Sequence, residues 1–185
     1  MHHISIISSS VRPDRKSHRL ALYFKNYLTE NNLSSVEILD LREYAFPIFT
    51  EKLQNQASPS EKALVFSQKI QSSHGIILVT PEYNGGYPAS LKNAIDLLYK
   101  EWRHKPVAIA TVSAGPFGGS QVLLSLQFIL WKMKVWTITE IFSVPNVHQN
   151  YDDTGKPADK AASDKLAEVF IKELMWCVKA DNSKI

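Results

Sequence analysis

The chain has 185 residues, enough for one domain with a sizeable core. Its 44% hydrophobic and 21% charged composition excludes a disordered or fibrous chain, and a net charge of +3 is too mild to argue for nucleic acid, though it suits an anionic cofactor. One cysteine, Cys177, excludes disulfide frameworks, CxxC redox pairs and cysteine-ligated iron–sulfur clusters within a single chain.

The elements follow in chain order. Met1-His2-His3 leads straight into an apolar strand, Ile4 to Ser8. This start predicts no signal peptide, no run has the length of a membrane span, and a cytoplasmic location is the resulting expectation. Leu20, Phe24, Tyr27 and Leu28 give a helical stripe that ends near Asn31-Asn32. Val36 to Asp40 is a second strand, Leu41 to Thr50 is irregular, and Ser60 to Ser72 is helical. Gly75 to Val79 is a third strand, and Pro88 opens a helix with Leu91, Ile95 and Leu98 on one side. Val107 to Val112 is a fourth strand, followed by a helix from about Ser120 to Lys132 and a fifth strand from Val135 to Ile141. Val144 to Pro157 is loop. Ala158 to Ala180 is a final helix with a stripe at Leu166, Phe170, Leu174 and Cys177, which makes Cys177 a small buried apolar residue. Alternating strands and helices call for a parallel sheet covered on both faces, a flavodoxin-like sandwich of strand order 2-1-3-4-5. No linker or repeat divides residues 1–185.

Two loops carry chemistry. After strand one, Ser8-Ser9-Ser10-Val11-Arg12-Pro13-Asp14-Arg15-Lys16-Ser17-His18-Arg19 brings hydroxyls and cations to a helix N-terminus, which is good equipment for an anion. After strand three, Thr80-Pro81-Glu82-Tyr83-Asn84-Gly85-Gly86-Tyr87-Pro88 sits where open α/β sheets bind ligands. Tyr83 offers a stacking face, Asn84 donates and accepts hydrogen bonds, and Gly85-Gly86 lets the backbone come close, all of which suits a planar ring with polar edges. Glu82 either serves that ring or points outward. The chain has no G-x-x-x-x-G-K-[ST], no G-x-G-x-x-G and no G-x-S-x-G. Its six histidines show no ligand spacing for a metal. One phosphate loop beside one ring loop fits a mononucleotide better than a dinucleotide.

The sixteen residues from Pro81 to Asp96, Pro-Glu-Tyr-Asn-Gly, a short gap, then Pro-Ala-x-Leu-Lys-Asn-Ala-Ile-Asp, closely resemble the flavin-loop motif of the NADPH-dependent FMN reductase family. The resemblance implies FMN as cofactor, with Pro81, Glu82, Tyr83, Asn84 and Gly85 at its ring. The family's Ser-x-Arg-(x)n-Ser phosphate loop is similar to Ser10, Arg12 and Ser17, with His18 and Arg19 beside them. Which basic residue reaches the phosphate stays open, because Pro13-Asp14-Arg15 is a more charged spacer than the pattern requires. The family's Ser/Gly-rich segment after strand four is similar to Ser113-Ala114-Gly115-Pro116-Phe117-Gly118-Gly119. This implies that Ser113, Gly115, Phe117 and Gly118 lie near the flavin's outer edge.

No acid–base dyad is visible in the sequence, as expected where a flavin carries the reactivity. The resemblance implies an NAD(P)H-dependent enzyme that passes hydride through FMN to a quinone, free flavin or similar small acceptor, with NADPH or NADH as co-substrate. The rival is a flavodoxin-type carrier that binds FMN without oxidising NAD(P)H itself. The segments around Leu97, Leu98, Tyr99 and Trp102, and Val122 to Trp131, hold more apolar residues than one sheet-facing stripe needs. With the family resemblance, this predicts a homodimer or homotetramer.

Overall fold

Short, largely apolar runs form five strands: β1 His3–Ser8, β2 Ser35–Asp40, β3 Gly75–Pro81, β4 Pro106–Val112 and β5 Trp136–Val144. Between and after them lie α1 Ser17–Glu30, α2 Leu41–Tyr44, α3 Glu61–Ser72, α4 Ala89–Leu97, α5 Val122–Lys132, α6 Val147–Asn150 and α7 Lys160–Asp181. These elements come from a computed structural model that describes residues 1–181. The strands pair in parallel in the order β2-β1-β3-β4-β5. The expected flavodoxin-like architecture is therefore the observed one.

The side-chain alternation of the inner strands divides the core in two. Ile4, Ile6, Ile77, Val79, Ala108 and Ala110 face α1 and α7, where they meet Phe24, Phe170 and Leu174. Ile7, Ile76, Leu78, Val107 and Ile109 face α3, α4 and α5, where they meet Phe66, Ile95 and Leu126. β1, β3 and β4 are covered on both sides, so their carboxyl ends open onto the one edge of the sheet that loops can shape. No helix among the described residues is long and apolar enough to cross a membrane.

Several expectations shift. The buried stripe of α7 is Ala167, Phe170, Ile171, Leu174 and Val178, while Leu166 is 63% exposed. Leu166 and Cys177 sit beside the true stripe, and Cys177 is only half-buried. β5 runs on to Val144, and the loop after it contains α6 and a bridge between Tyr151 and Pro157. The segment after β2 begins with α2, because the Asp40 side chain accepts the Arg42 N–H at its start. The apolar surplus after α4 is covered by the chain itself: Leu97, Leu98 and Trp102 are buried, and only Tyr99 of that group is exposed. On α5, by contrast, Leu124, Phe128 and Trp131 remain open.

Candidate flavin-binding cleft

The end of β1 continues into a serine loop pinned to β3. Ser9 donates to the Val79 carbonyl from its amide (3.2 Å) and from its hydroxyl (2.9 Å), and the Ser90 hydroxyl donates to the Ser9 carbonyl at 2.6 Å. Ser10 is fully buried, and its hydroxyl meets the Tyr83 hydroxyl at 2.6 Å. This contact ties the first loop to the third.

α1 begins without a side-chain cap. Lys16 holds the N-cap position, no acidic residue lies in the first turn, and Ser17 is the first helical residue. The Ser17 hydroxyl is buried and has no hydrogen-bond partner. Exposed N–H groups, the positive end of the helix dipole and an unsatisfied hydroxyl therefore converge there. Of the nearby cations, Arg19 donates to Asp153 at 2.8 Å and to the Tyr151 carbonyl at 2.7 Å. Arg15 is paired with Asp40. His18 turns away toward the Ser8 hydroxyl at 3.0 Å, and burial, assisted by the Arg15 charge, lowers its pKa from 6.5. Arg12 and Lys16 keep their charges free of ion pairs among the described residues. The Arg12 guanidinium lies 5.6 Å from the centre of the Tyr83 ring, a cation–π contact.

The loop after β3 is a tight reverse turn. Tyr83 and Gly86 exchange amide hydrogen bonds of 2.7 and 3.0 Å, and Asn84 and Gly85 have φ of 52° and 79°. Two successive positive φ values define a type I′ turn, for which Asn-Gly is the favoured pair. Pro81 is buried at the end of β3, and Tyr83 stands at the entrance to this turn. The Glu82 carboxylate accepts the Gln121 N–H at 3.0 Å, at the N-terminus of α5.

The glycine-rich loop after β4 is held from below. The Thr111 hydroxyl donates to the Gly118 carbonyl at 2.6 Å, and the Asn146 N–H donates to the Gly115 carbonyl at 3.0 Å. Gly119 has φ of 73°, and a Cβ there would come within 3.1 Å of the Val112 carbonyl oxygen. Gly118 is buried against Ser143, and Phe117 is 77% exposed at the tip.

Together these loops enclose a cleft of about 280 Å³ over the carboxyl ends of β1, β3 and β4, where the strand order reverses. Of the residues expected from sequence, Ser10, Arg12, Ser17, Pro81, Glu82, Tyr83 and Ser113 line it. His18, Asn84, Gly85, Gly115, Phe117 and Gly118 do not line it. His18 lies behind the loop, Asn84 and Gly85 form the turn beyond Tyr83, and Gly118 packs under the sheet edge. Asp14, Arg15, Lys16, Val112, Ala114 and Val147 line the cleft without having been singled out. Asp14 and Arg15 looked like part of a spacer. Val147 arrives from α6, whose position is set by its N–H bond to the Ser113 carbonyl at 3.1 Å, and nothing in the sequence signals that bond.

An uncapped helix start and an aromatic turn, side by side at the switch point of a 2-1-3-4-5 sheet, define a flavodoxin-like protein. Residues 2–149 match the family model described as NADPH-dependent FMN reductase. An NAD(P)H-dependent FMN reductase of Saccharomyces cerevisiae is 34% identical over 148 residues, covering 71% of this chain and 75% of the relative. A quinone reductase of Pseudomonas putida is 29% identical over 190 residues, covering 97% and 96%. The solved structure of the flavoenzyme NAD(P)H:(acceptor) oxidoreductase FerB from Paracoccus denitrificans shares the fold, with a TM-score of 0.75 at 23% identity over 97% of this chain and 98% of that one. The chain belongs to the NADPH-dependent FMN reductase family.

Proposed function

We propose that the chain is an FMN-dependent oxidoreductase that takes reducing equivalents from NADPH or NADH and delivers them to a quinone, free flavin or similar small acceptor. The observation that carries this is the buried, unpartnered Ser17 hydroxyl at the uncapped start of α1, beside Ser10 and facing the same cleft as Tyr83. A buried hydroxyl without a partner costs on the order of 1–3 kcal/mol, and a phosphate oxygen would remove that cost. The residues present therefore suit FMN.

In this assignment Ser17, the first N–H groups of α1, Arg12 and Lys16 hold the phosphate. Tyr83 and the backbone from Pro81 to Gly85 support the ring. Glu82 acts at a distance by fixing the turn to α5. Ser113 and Gly115 border the outer side, and the exposed Phe117 stands where an aromatic acceptor would approach. Bound FMN supplies the two-electron chemistry that the side chains lack. The protein binds, orients and excludes water. The described residues 1–181 form one such domain, acting in the cytoplasm, where a free Cys177 stays reduced.

The open apolar face of α5, with Leu124, Phe128 and Trp131, supports a homodimer or homotetramer built on that helix.

Purified protein reconstituted with FMN and freed of excess should be yellow. It should bleach on anaerobic addition of NADPH or NADH and regain colour with a benzoquinone. Colour that neither nicotinamide bleaches would instead indicate an electron carrier, and no flavin retention at all would sink the assignment.

A further inference from the structure

Arg15 and Asp40 lie 25 residues apart, and neither is part of the Ser-x-Arg pattern. In the fold they form a two-point ion pair, with each terminal guanidinium nitrogen on one carboxylate oxygen. Both side chains are almost fully withdrawn from water, at 10% and 5% exposure. Taking such a pair out of water is costly, so its presence calls for a geometric reason.

The geometry supplies one. Asp40 ends β2 directly beside Ser8 of β1 and also accepts the Arg42 N–H at 3.0 Å, so its carboxylate is fixed to the scaffold. Arg15 is thereby held in place, and its Nη1 reaches back to donate to the Ser10 carbonyl at 2.9 Å. Ser10 in turn holds the Tyr83 hydroxyl. An unbroken series of contacts runs from the end of β2 through Asp40, Arg15 and Ser10 to Tyr83. His18 is the other basic group facing Asp40, at 3.8 Å, and its position does not replace the fork of Arg15. A lysine could not make both carboxylate bonds and the carbonyl bond from one point charge.

We infer that the Arg15–Asp40 pair is a positioning device for flavin binding: it sets the Ser10 carbonyl, and through Ser10 it registers the phosphate loop against the ring loop. This rests on the proposed FMN site. Arg15 acts through Ser10, so its loss should disturb both ends of the ligand. Arg12 and Lys16 are assigned to the phosphate, with Arg12 also lying over the Tyr83 ring.

The test is titration of FMN and of riboflavin, which lacks the phosphate, with apoprotein carrying Arg15→Lys, Asp40→Asn or both. Flavin fluorescence quenching reports affinity, and amide hydrogen exchange of the unliganded protein reports loop order. Arg15→Lys should weaken FMN and riboflavin by similar factors, about tenfold each, the loss of one charge-assisted bond. Exchange should speed up in both the 10–17 and 81–86 segments. Asp40→Asn should have the same pattern, and the double variant should add little to either single one. Arg12→Ala, as the control, should weaken FMN by about tenfold or more and riboflavin by a much smaller factor. A loss confined to FMN in Arg15→Lys would mean that Arg15 contacts the phosphate directly and would overturn the inference. So would unchanged affinity with lowered melting temperature, additive losses, or unchanged exchange. Failure of the parent protein to bind either flavin would refute the FMN site, while the exchange measurement would still decide the positioning role.

Discussion

Helices α4 and α5 enter the fold with the same apparent excess of apolar residues, yet the fold treats them differently. After α4 the chain turns back through a short 3-10 segment, Lys100–Trp102, and buries Leu98 and Trp102 in the same core as Leu91 and Ile95. The Trp102 indole N–H is satisfied by the Ile95 carbonyl at 3.2 Å. α5 has no such returning segment. Val122, Leu126 and Leu130 face the sheet, and Leu124, Phe128 and Trp131 face outward with the Phe128 and Trp131 rings 5.9 Å apart. An apolar surplus in sequence therefore stays exposed on the single chain only where the following segment fails to fold back over it.

Truncation of the covered surplus should have the largest effect. Trp102→Ala should destabilise the protein by about 3–5 kcal/mol in urea unfolding, the cost of a large cavity at a fully buried aromatic. A change below about 1 kcal/mol would erase the distinction between the two helices. Next comes the uncovered surplus. Phe128→Glu combined with Trp131→Glu should bring the mass by light scattering down to the single-chain 20.9 kDa, with the far-ultraviolet spectrum unchanged. A parent already at that mass, or a variant that keeps the larger one, would remove α5 from the subunit contact. The smallest effect belongs to the exposed Leu166 of α7. Leu166→Gln should alter stability by no more than about 0.5 kcal/mol. Leu174→Ala, three positions on from Ile171 in the buried stripe, should cost about 2–5 kcal/mol. Equal costs at the two sites would mean the sequence-based stripe was right after all.

The outline of the fold is legible because β1, β3 and β4 are short, largely apolar runs, each followed by a polar or glycine-rich loop. The ring turn is legible for a similar local reason: Asn84-Gly85 allows two consecutive positive φ values, and few other pairs do. What the sequence hides is pairing across distance. The Arg15–Asp40 pair, the Glu82 bond to Gln121 and the placement of Val147 each join segments that no local pattern connects. The α7 stripe misleads for another reason. A 22-residue helix with Leu166, Val169 and Trp176 exposed offers two plausible phases, and only contact with Phe24 and Phe142 selects the inner one.

The placement of α7 separates two quantities that are easily equated. The match to the family model ends at residue 149, and every residue lining the cleft falls before that point. Phe170, Ile171, Leu174 and Val178 lie beyond it, yet together with α1 they cover one side of the sheet. They pack so closely that a Cβ on Gly75 would stand 2.8 Å from a Val178 methyl. A fragment cut where the family model ends would keep the whole ligand cleft and bare a broad apolar surface of the sheet. The portion that carries the cleft is thus shorter than the portion that covers the sheet, and an excised version intended for binding work should retain the last helix.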